Sequence, residues 1–303
     1  MKYTIKLAIS VVFAAVLVSA HDAYAVRPGK NKIRTVRLID YNIADGMWYD
    51  QYDNYDRFVE WVKGRNPDIL TICEGATHWD AQKKEVSKEQ APRYLPDSLS
   101  ALAARWGHKY AAVGPYQDNY PVAVTSRYPI KVVQRIGDGL SHGAIHVKIN
   151  GVNYVVLHLW PQRYSMGDAT RSDGKGDAFR VGEMERILDS TIRNPRFSKE
   201  KHWVMTGDFN SHSPLDKPYH GKKNYDVHNL VRSVYPHDVI GELCPGRFEP
   251  SMVSGKSRLD YVYCTEDVFK AIEKAETVRD AFTDVASDHR PIMMEFKKTV
   301  KNK

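Results

Sequence analysis

The stretch WVMTGDFN, residues 203–210, decides how this chain is read. Trp203 to Thr206 is a short apolar strand. Gly207, Asp208, Phe209 and Asn210 follow it at once. Loops at strand ends are where α/β scaffolds place their chemistry. A single Asp there is more often a turn or cap residue, so the reading depends on what the rest of the chain sets beside it.

The same arrangement recurs on both sides of that stretch. The strand Thr35 to Tyr41 is followed by Asn42, and the strand Asp68 to Cys73, entered from Asn66-Pro67, ends on Glu74. His158 closes the run Tyr154 to Leu157. Asp260 interrupts SRLDYVY (257–263), and Asp288 and His289 stand in SDHRP (287–291), just before a last strand at Ile292 to Phe296. Between these, Tyr55 to Gly64 and Ala178 to Ile192 have the apolar spacing of helices, and Leu99 to Trp106 reads as another. Strand-like runs lie at 108–113, 122–125 and 144–149, and Asn150-Gly151 marks a hairpin. Hairpins mixed with helical connections predict one α/β domain with two sheets and outer helices.

The polar set has a chemical logic. Glu74, Asp208 and Asp288 are hard oxygen ligands, and with Asn42 and Asn210 they suit Mg²⁺, Mn²⁺ or Ca²⁺ rather than a thiolate-type metal. His158 and His289 can contact a phosphate oxygen or move a proton near neutral pH. Asp260 could orient His289. Metal, carboxylate and imidazole together suit hydrolysis of a phosphoester. Both Arg180, opening a helix, and Trp48, in the loop DGMWYDQYDNY (45–55), are candidates for substrate contact. The polar loop 160–177 adds Arg163, Arg171 and Lys175. His142 and His146 read as ordinary strand or turn residues.

The motifs YNI (41–43), ICE (72–74), SRYPI (126–130), LHL (157–159), GDFN (207–210), RLDYV (258–262) and SDHRP (287–291) stand in one order. In that order they resemble the endonuclease/exonuclease/phosphatase superfamily, the deoxyribonuclease-I-like fold, from about Thr35 to Phe296. The resemblance implies a four-layer α/β sandwich of two facing mixed sheets flanked by helices. It implies metal-assisted attack of water on phosphorus. Glu74 would be the main metal ligand, with Asn42 nearby and Asp288 supporting. Asp208, Asn210, His158, His289 and Asp260 would carry catalysis. Two departures narrow it. Abasic-site endonucleases of the family usually have Tyr where His158 stands, and His is more like the deoxyribonuclease I, sphingomyelinase and inositol-phosphatase branches. Some members place an acidic ligand where Ala44 stands here, with Asp45 next to it.

The chain has 303 residues, 42% of them hydrophobic and 27% charged, which excludes a disordered chain. Lys2 and Lys6, the apolar run Leu7 to Ala20 and Ala23-Tyr24-Ala25 predict a secretory signal peptide over 1–25, with a secreted or periplasmic chain starting at Val26. The formal net charge of +7 favours anionic partners such as nucleic acid. Arg27 to Arg37 and Lys297 to Lys303 are expected as solvated basic tails. Cys73 reads as a buried small hydrophobe. Cys244 and Cys264 could pair in an oxidising compartment, which spacing alone leaves open. The expected function is hydrolysis of a phosphodiester in nucleic acid, a phospholipid headgroup or a phosphorylated sugar or inositol. The alternative is a non-catalytic protein on the same fold that holds a phosphorylated ligand or partner.

Overall fold

The computed structural model describes residues 32–50, 54–75, 96–118, 120–161, 164–165, 168–171, 175–221 and 223–300. The expected signal segment, Tyr52 and Arg163 lie outside them. No helix among the described residues is long and apolar enough to cross a membrane.

Among the described residues, fourteen strands form three sheets. They are β1 (Lys32–Asn42), β2 (Ile69–Cys73), β3 (Tyr110–Val113), β4 (Ala123–Ser126), β5 (Lys131–Ile136), β6 (Ala144–Ile149) and β7 (Val152–His158). Then come β8 (Tyr164–Ser165), β9 (Asp168–Arg171), β10 (Trp203–Asp208), β11 (His237–Asp238), β12 (Asp260–Cys264), β13 (Ile272–Thr277) and β14 (Ile292–Val300). One six-stranded sheet has the order β13-β14-β1-β2-β4-β3, the other β11-β12-β10-β7-β6-β5, and β8-β9 is a separate hairpin. In each large sheet one central pair is parallel, β1 with β2 and β7 with β10, and the other pairs are antiparallel.

Side chains alternate between the two faces of a strand, and that alternation builds the layers. Val36 and Leu38 of β1, Val124 of β4, Val156 of β7, Val204 of β10 and Val262 of β12 meet between the sheets. Ile39 and Tyr41 turn the other way, onto Phe58, Val59, Trp61 and Val62 of the helix Asp56–Arg65 and Leu99 and Leu102 of the helix Pro96–Arg105. Val155, Leu157 and Met205 turn outward from the second sheet onto Met184, Ile187 and Leu188 of the helix Lys175–Ser190. Helix, sheet, sheet and helix are thus stacked, as the motif order implies. The inward face is not apolar throughout. Further along the same strands it carries Asp40 and Asn42 on β1, Thr71 on β2, Thr206 and Asp208 on β10, and His158 at the end of β7, all buried.

Several expectations change. The basic ends are not solvated tails where they are described: residues 32–37 of β1 pair with β14, Lys32 opposite Val300 and Thr35 opposite Lys297. The loop 160–177 is interrupted by the β8-β9 hairpin, and its helix starts at Lys175 rather than Ala178. The residues 44–50 fold into compact turns with Met47 and Asp50 buried, and Asp50 accepts a hydrogen bond from Phe58 N at 2.8 Å. Cys73, Cys244 and Cys264 are all free thiols, so Cys244 and Cys264 do not pair.

Two local constraints hold the second sheet. Gly207 has φ +137°, and a β-carbon there would overlap the backbone carbonyl of Leu157 on the paired strand. Arg258 is buried between two carboxylates: Nε and Nη2 reach Asp216 at 3.0 and 3.1 Å, and Nη1 and Nη2 reach Asp238 at 2.6 and 2.7 Å. This fork fastens the loop after GDFN to the foot of β12.

Gly207→Ala is expected to destabilise the protein by more than about 3 kcal/mol, since backbone must shift to admit one methyl group. Arg258→Met is expected to cost about 3–5 kcal/mol by leaving two buried carboxylates without their cation. Denaturant unfolding of each variant checks both, and wild-type midpoints would refute them.

Candidate active site

The inward polar residues come together where the parallel pairs end. Asn42 is opposite Cys73, Asp208 is opposite His158 on one side and Asp260 on the other. The two sheets touch here, with Cys73 Sγ donating to Leu157 O at 3.3 Å. Asn42 spans the gap: its Nδ2 donates to Glu74 Oε1 and to Asp208 Oδ2, both at 3.1 Å. Ser287 Oγ donates to Asn42 O at 2.8 Å and accepts from His289 N at 3.0 Å, so the SDHRP loop is fastened to the end of β1.

Asp208 is held on both carboxylate oxygens, by Asn42 and by Asn210 N at 2.8 Å from Oδ1. Burial, with the negative charge of Asp260 close by, raises its pKa to about 7. His289 Nδ1 lies 2.7 Å from Asp260 Oδ2, and its Nε2 lies 3.8 Å from Asp208 Oδ2. Burial works against the charged ring, but Asp260, Asp208 and Asp288 outweigh it and hold His289 well above the ordinary histidine value. His158 Nε2 is 3.6 Å from the same Asp208 oxygen. Burial, then the charges of His142 and His289, push His158 well below the ordinary value, so it is neutral. Two imidazoles of opposite protonation therefore flank one carboxylate.

Glu74 stands at φ +56°, and Ala44, Asp45 and Asn210 each at φ +48°. Left-handed backbone is uncommon for such residues and is concentrated here at the strand ends. At Glu74 it lets the carboxylate accept from Asp45 N at 2.9 Å and from Asn42. Burial raises the pKa of Glu74, and the adjacent Asp45 charge adds to this. Tyr120 hydrogen-bonds the Asp45 side chain. Oxygen donors crowded at a partly buried position fit a hard divalent cation, which would relieve the cost of holding Glu74 ionised. Asp208, Asp260 and His289 also offer ligand atoms within 4.8 Å of one another. There, however, Asp260 and His289 are bonded to each other, and the Asn42–Glu74 end is the better fit for an ion.

The structure places the remaining candidates as follows. The Asp288 carboxylate is exposed, its Oδ1 3.9 Å from His289 Nε2. Arg180 is buried and donates to the carbonyls of Trp160 and Pro161 at 3.1 and 3.0 Å, so it holds the segment after His158. Asn210 Nδ2 grips the same segment at Leu159 O, at 3.0 Å. Trp48 is half-buried in the turn Trp48–Asp50. His146 is an ordinary buried residue, bonded to Asn153 at 3.0 Å, as expected. His142 is not: its ring stacks on His158, with centroids 4.3 Å apart. Sequence reading missed it, together with Asp118, Tyr120 and Glu183. None of these stands at the end of an apolar run, so no local signal marks them.

Comparison with known proteins adds the following. The model of the Endonuclease/Exonuclease/phosphatase family matches residues 41–289. No curated protein matches the sequence. An AP endonuclease from Archaeoglobus fulgidus has a similar structure, with TM-score 0.63 and 17% identity over 86% of this chain and 99% of that one. The human Nocturnin catalytic domain, with a bound sulfate anion, gives 0.58 and 16% over 90% and 99%. The 3′ phosphatase NExo from Neisseria, bound to product DNA hairpin, gives 0.53 and 15% over 86% and 99%. At these identities the likeness shows a shared fold, and the family match covers most of the chain, including Asn42, Glu74, His158, Asp208, Asn210, Asp260 and His289. The chain belongs to the endonuclease/exonuclease/phosphatase family.

Proposed function

We propose that this chain is an exported phosphoesterase that hydrolyses a phosphodiester with the help of a divalent cation. The observation that carries the reading is the Asp260–His289 pair beside Asp208, with Asn42 linking Asp208 to Glu74. Export rests on the sequence of residues 1–25.

Glu74 and Asn42 would hold the cation, with Asp288 in support, and when bound it would neutralise charge on the transferring phosphoryl group. Asp208 receives the proton of the attacking water. Its pKa near 7 suits a base at neutral pH, and its two fixed oxygens suit a directed one. Protonated His289 donates from Nε2 to a phosphate oxygen while Asp260 fixes its ring through Nδ1. Neutral His158 supplies a second contact to phosphate. Asn210 keeps Asp208 and the Leu159 wall in place.

Nucleic acid is the favoured substrate. The chain is basic, and two of the similar structures are an AP endonuclease and a phosphatase bound to product DNA. A lipid-directed enzyme would want an apolar hairpin. Among the described residues the large exposed aliphatic side chains, Ile33, Leu243 and Val285, are scattered.

Protein starting at Val26 is expected to cleave duplex or single-stranded DNA or RNA with Mg²⁺, Mn²⁺ or Ca²⁺ and to stop in chelator. The same assay should include sphingomyelin, inositol phosphates and bis-p-nitrophenyl phosphate. His289→Ala should lower kcat by about 10²–10⁴. Cleavage of no member of the panel would return the reading to a phosphoester-binding protein.

The base must be deprotonated, so kcat/KM should rise with pH through an apparent value near 7 and fall again only where His289 loses its proton. A profile flat from pH 5 to 9 would remove Asp208 as the base. Glu74→Gln should weaken Mn²⁺ binding by about ten-fold or more in a calorimetric titration, with the unfolding midpoint little changed. An unaltered titration would move the ligand elsewhere.

A further inference from the structure

We propose that His142, fixed by Asp118, is a positioning residue that orients His158 by ring stacking. The proposal rests on the phosphoesterase reading for its catalytic meaning and on geometry for its structural content.

The two imidazoles of the site are held by different means. His289 has a carboxylate on Nδ1. His158 does not: its Nδ1 is buried with no hydrogen-bond partner among the described residues, and its Nε2 stands 3.6 Å from Asp208, too far for a hydrogen bond to fix the ring. What lies against it is His142, 4.3 Å away between centroids at an interplanar angle of 30°. His142 Nδ1 is itself bonded to Asp118 Oδ2. Trp160 lies nearly parallel to His142 at 6.3 Å and 17°, and Tyr120 meets the His142 ring edge at 5.4 Å. The carboxylate–imidazole unit that orients His289 directly has a counterpart at His158, displaced by one ring.

The surrounding chain builds this stack. His142 lies on the connection between β5 and β6, and Asp118 on the connection between β3 and β4. The two connections pack against each other: a β-carbon at Gly143, at φ +85°, would overlap the ring of Pro115, and Gly137 lies against the end of the Gln117 side chain. Gln117 Nε2 also donates to Gly137 O. The carboxylate of Glu183 then ties both histidine segments to one helix. Oε1 accepts from Ser141 N and Oγ, each at 2.7 Å, and Oε2 accepts from Trp160 N at 2.9 Å. Ser141 precedes His142, and Trp160 is two residues past His158. The stack is therefore clamped from both sides, and movement of His142 moves the face on which His158 rests.

The test uses His142→Ala, His142→Phe and Asp118→Asn in the protein starting at Val26, with bis-p-nitrophenyl phosphate and Mn²⁺ as probe and ¹⁵N-histidine NMR as a second readout. A misplaced catalytic group costs up to about 10²-fold, so His142→Ala should lower kcat by about that factor with KM little changed. His142→Phe keeps a ring on His158 and should restore most of kcat, and Asp118→Asn should fall between. The His158 ring signals should shift and broaden in His142→Ala and sharpen again in His142→Phe. Wild-type kcat and unchanged His158 signals in His142→Ala and Asp118→Asn would overturn the proposal, as would a folded His142→Phe no better than His142→Ala. If the wild type cleaves no panel member, the phosphoesterase reading fails, and the His158 signals alone then decide whether the stack orients it.

Discussion

The inward faces of two sheets change from apolar to polar at the same end, and the rest of the structure depends on that coincidence. Val36, Leu38 and Val204 lead along their strands to Asn42 and Asp208, and Val156 leads to His158. A strand slipped by one residue would send every one of these side chains to the wrong face. Register is therefore a chemical requirement as well as a packing one. The parallel pairs set it, Asn42 opposite Cys73 and Asp208 opposite His158. Gly207 lets β10 lie against Leu157 closely enough to keep it.

Placing so many ionisable groups between two sheets is costly unless each finds a partner. Asp260 has His289, and Asp208 has backbone and amide donors. Asp40, one strand repeat below Asn42, takes a different solution: it accepts from Thr71 Oγ1 at 2.6 Å, and burial pushes its carboxyl well above the usual range, which disfavours the charged form. Glu74 accepts from Asn42 Nδ2 and Asp45 N, and burial still raises its pKa.

Much of this was legible in the sequence because local pattern and fold agree. Period-two alternation, the Asn150-Gly151 turn and the helical spacing of Phe58, Val59, Trp61 and Val62 each report on their own neighbourhood. The structure brings together the strand-end residues Asn42, Glu74, His158, Asp208, Asp260 and His289. Other features depend on distant chain. β5 and β13 are half-exposed edge strands whose apolar content is too thin to announce them. Arg258 was read as part of a motif, and only the fold shows it closing a loop through Asp216 and Asp238. His142 acquires meaning solely through contact with a ring from another strand.

The strand that follows SDHRP lies antiparallel along the first described strand, and Ser287 reaches back across 245 residues to the carbonyl of Asn42. The imidazole of His289 is therefore delivered by a stretch of chain far in sequence from the strand that carries Asn42. The constellation is complete only once these distant stretches close on each other, and contacts of such long range slow folding.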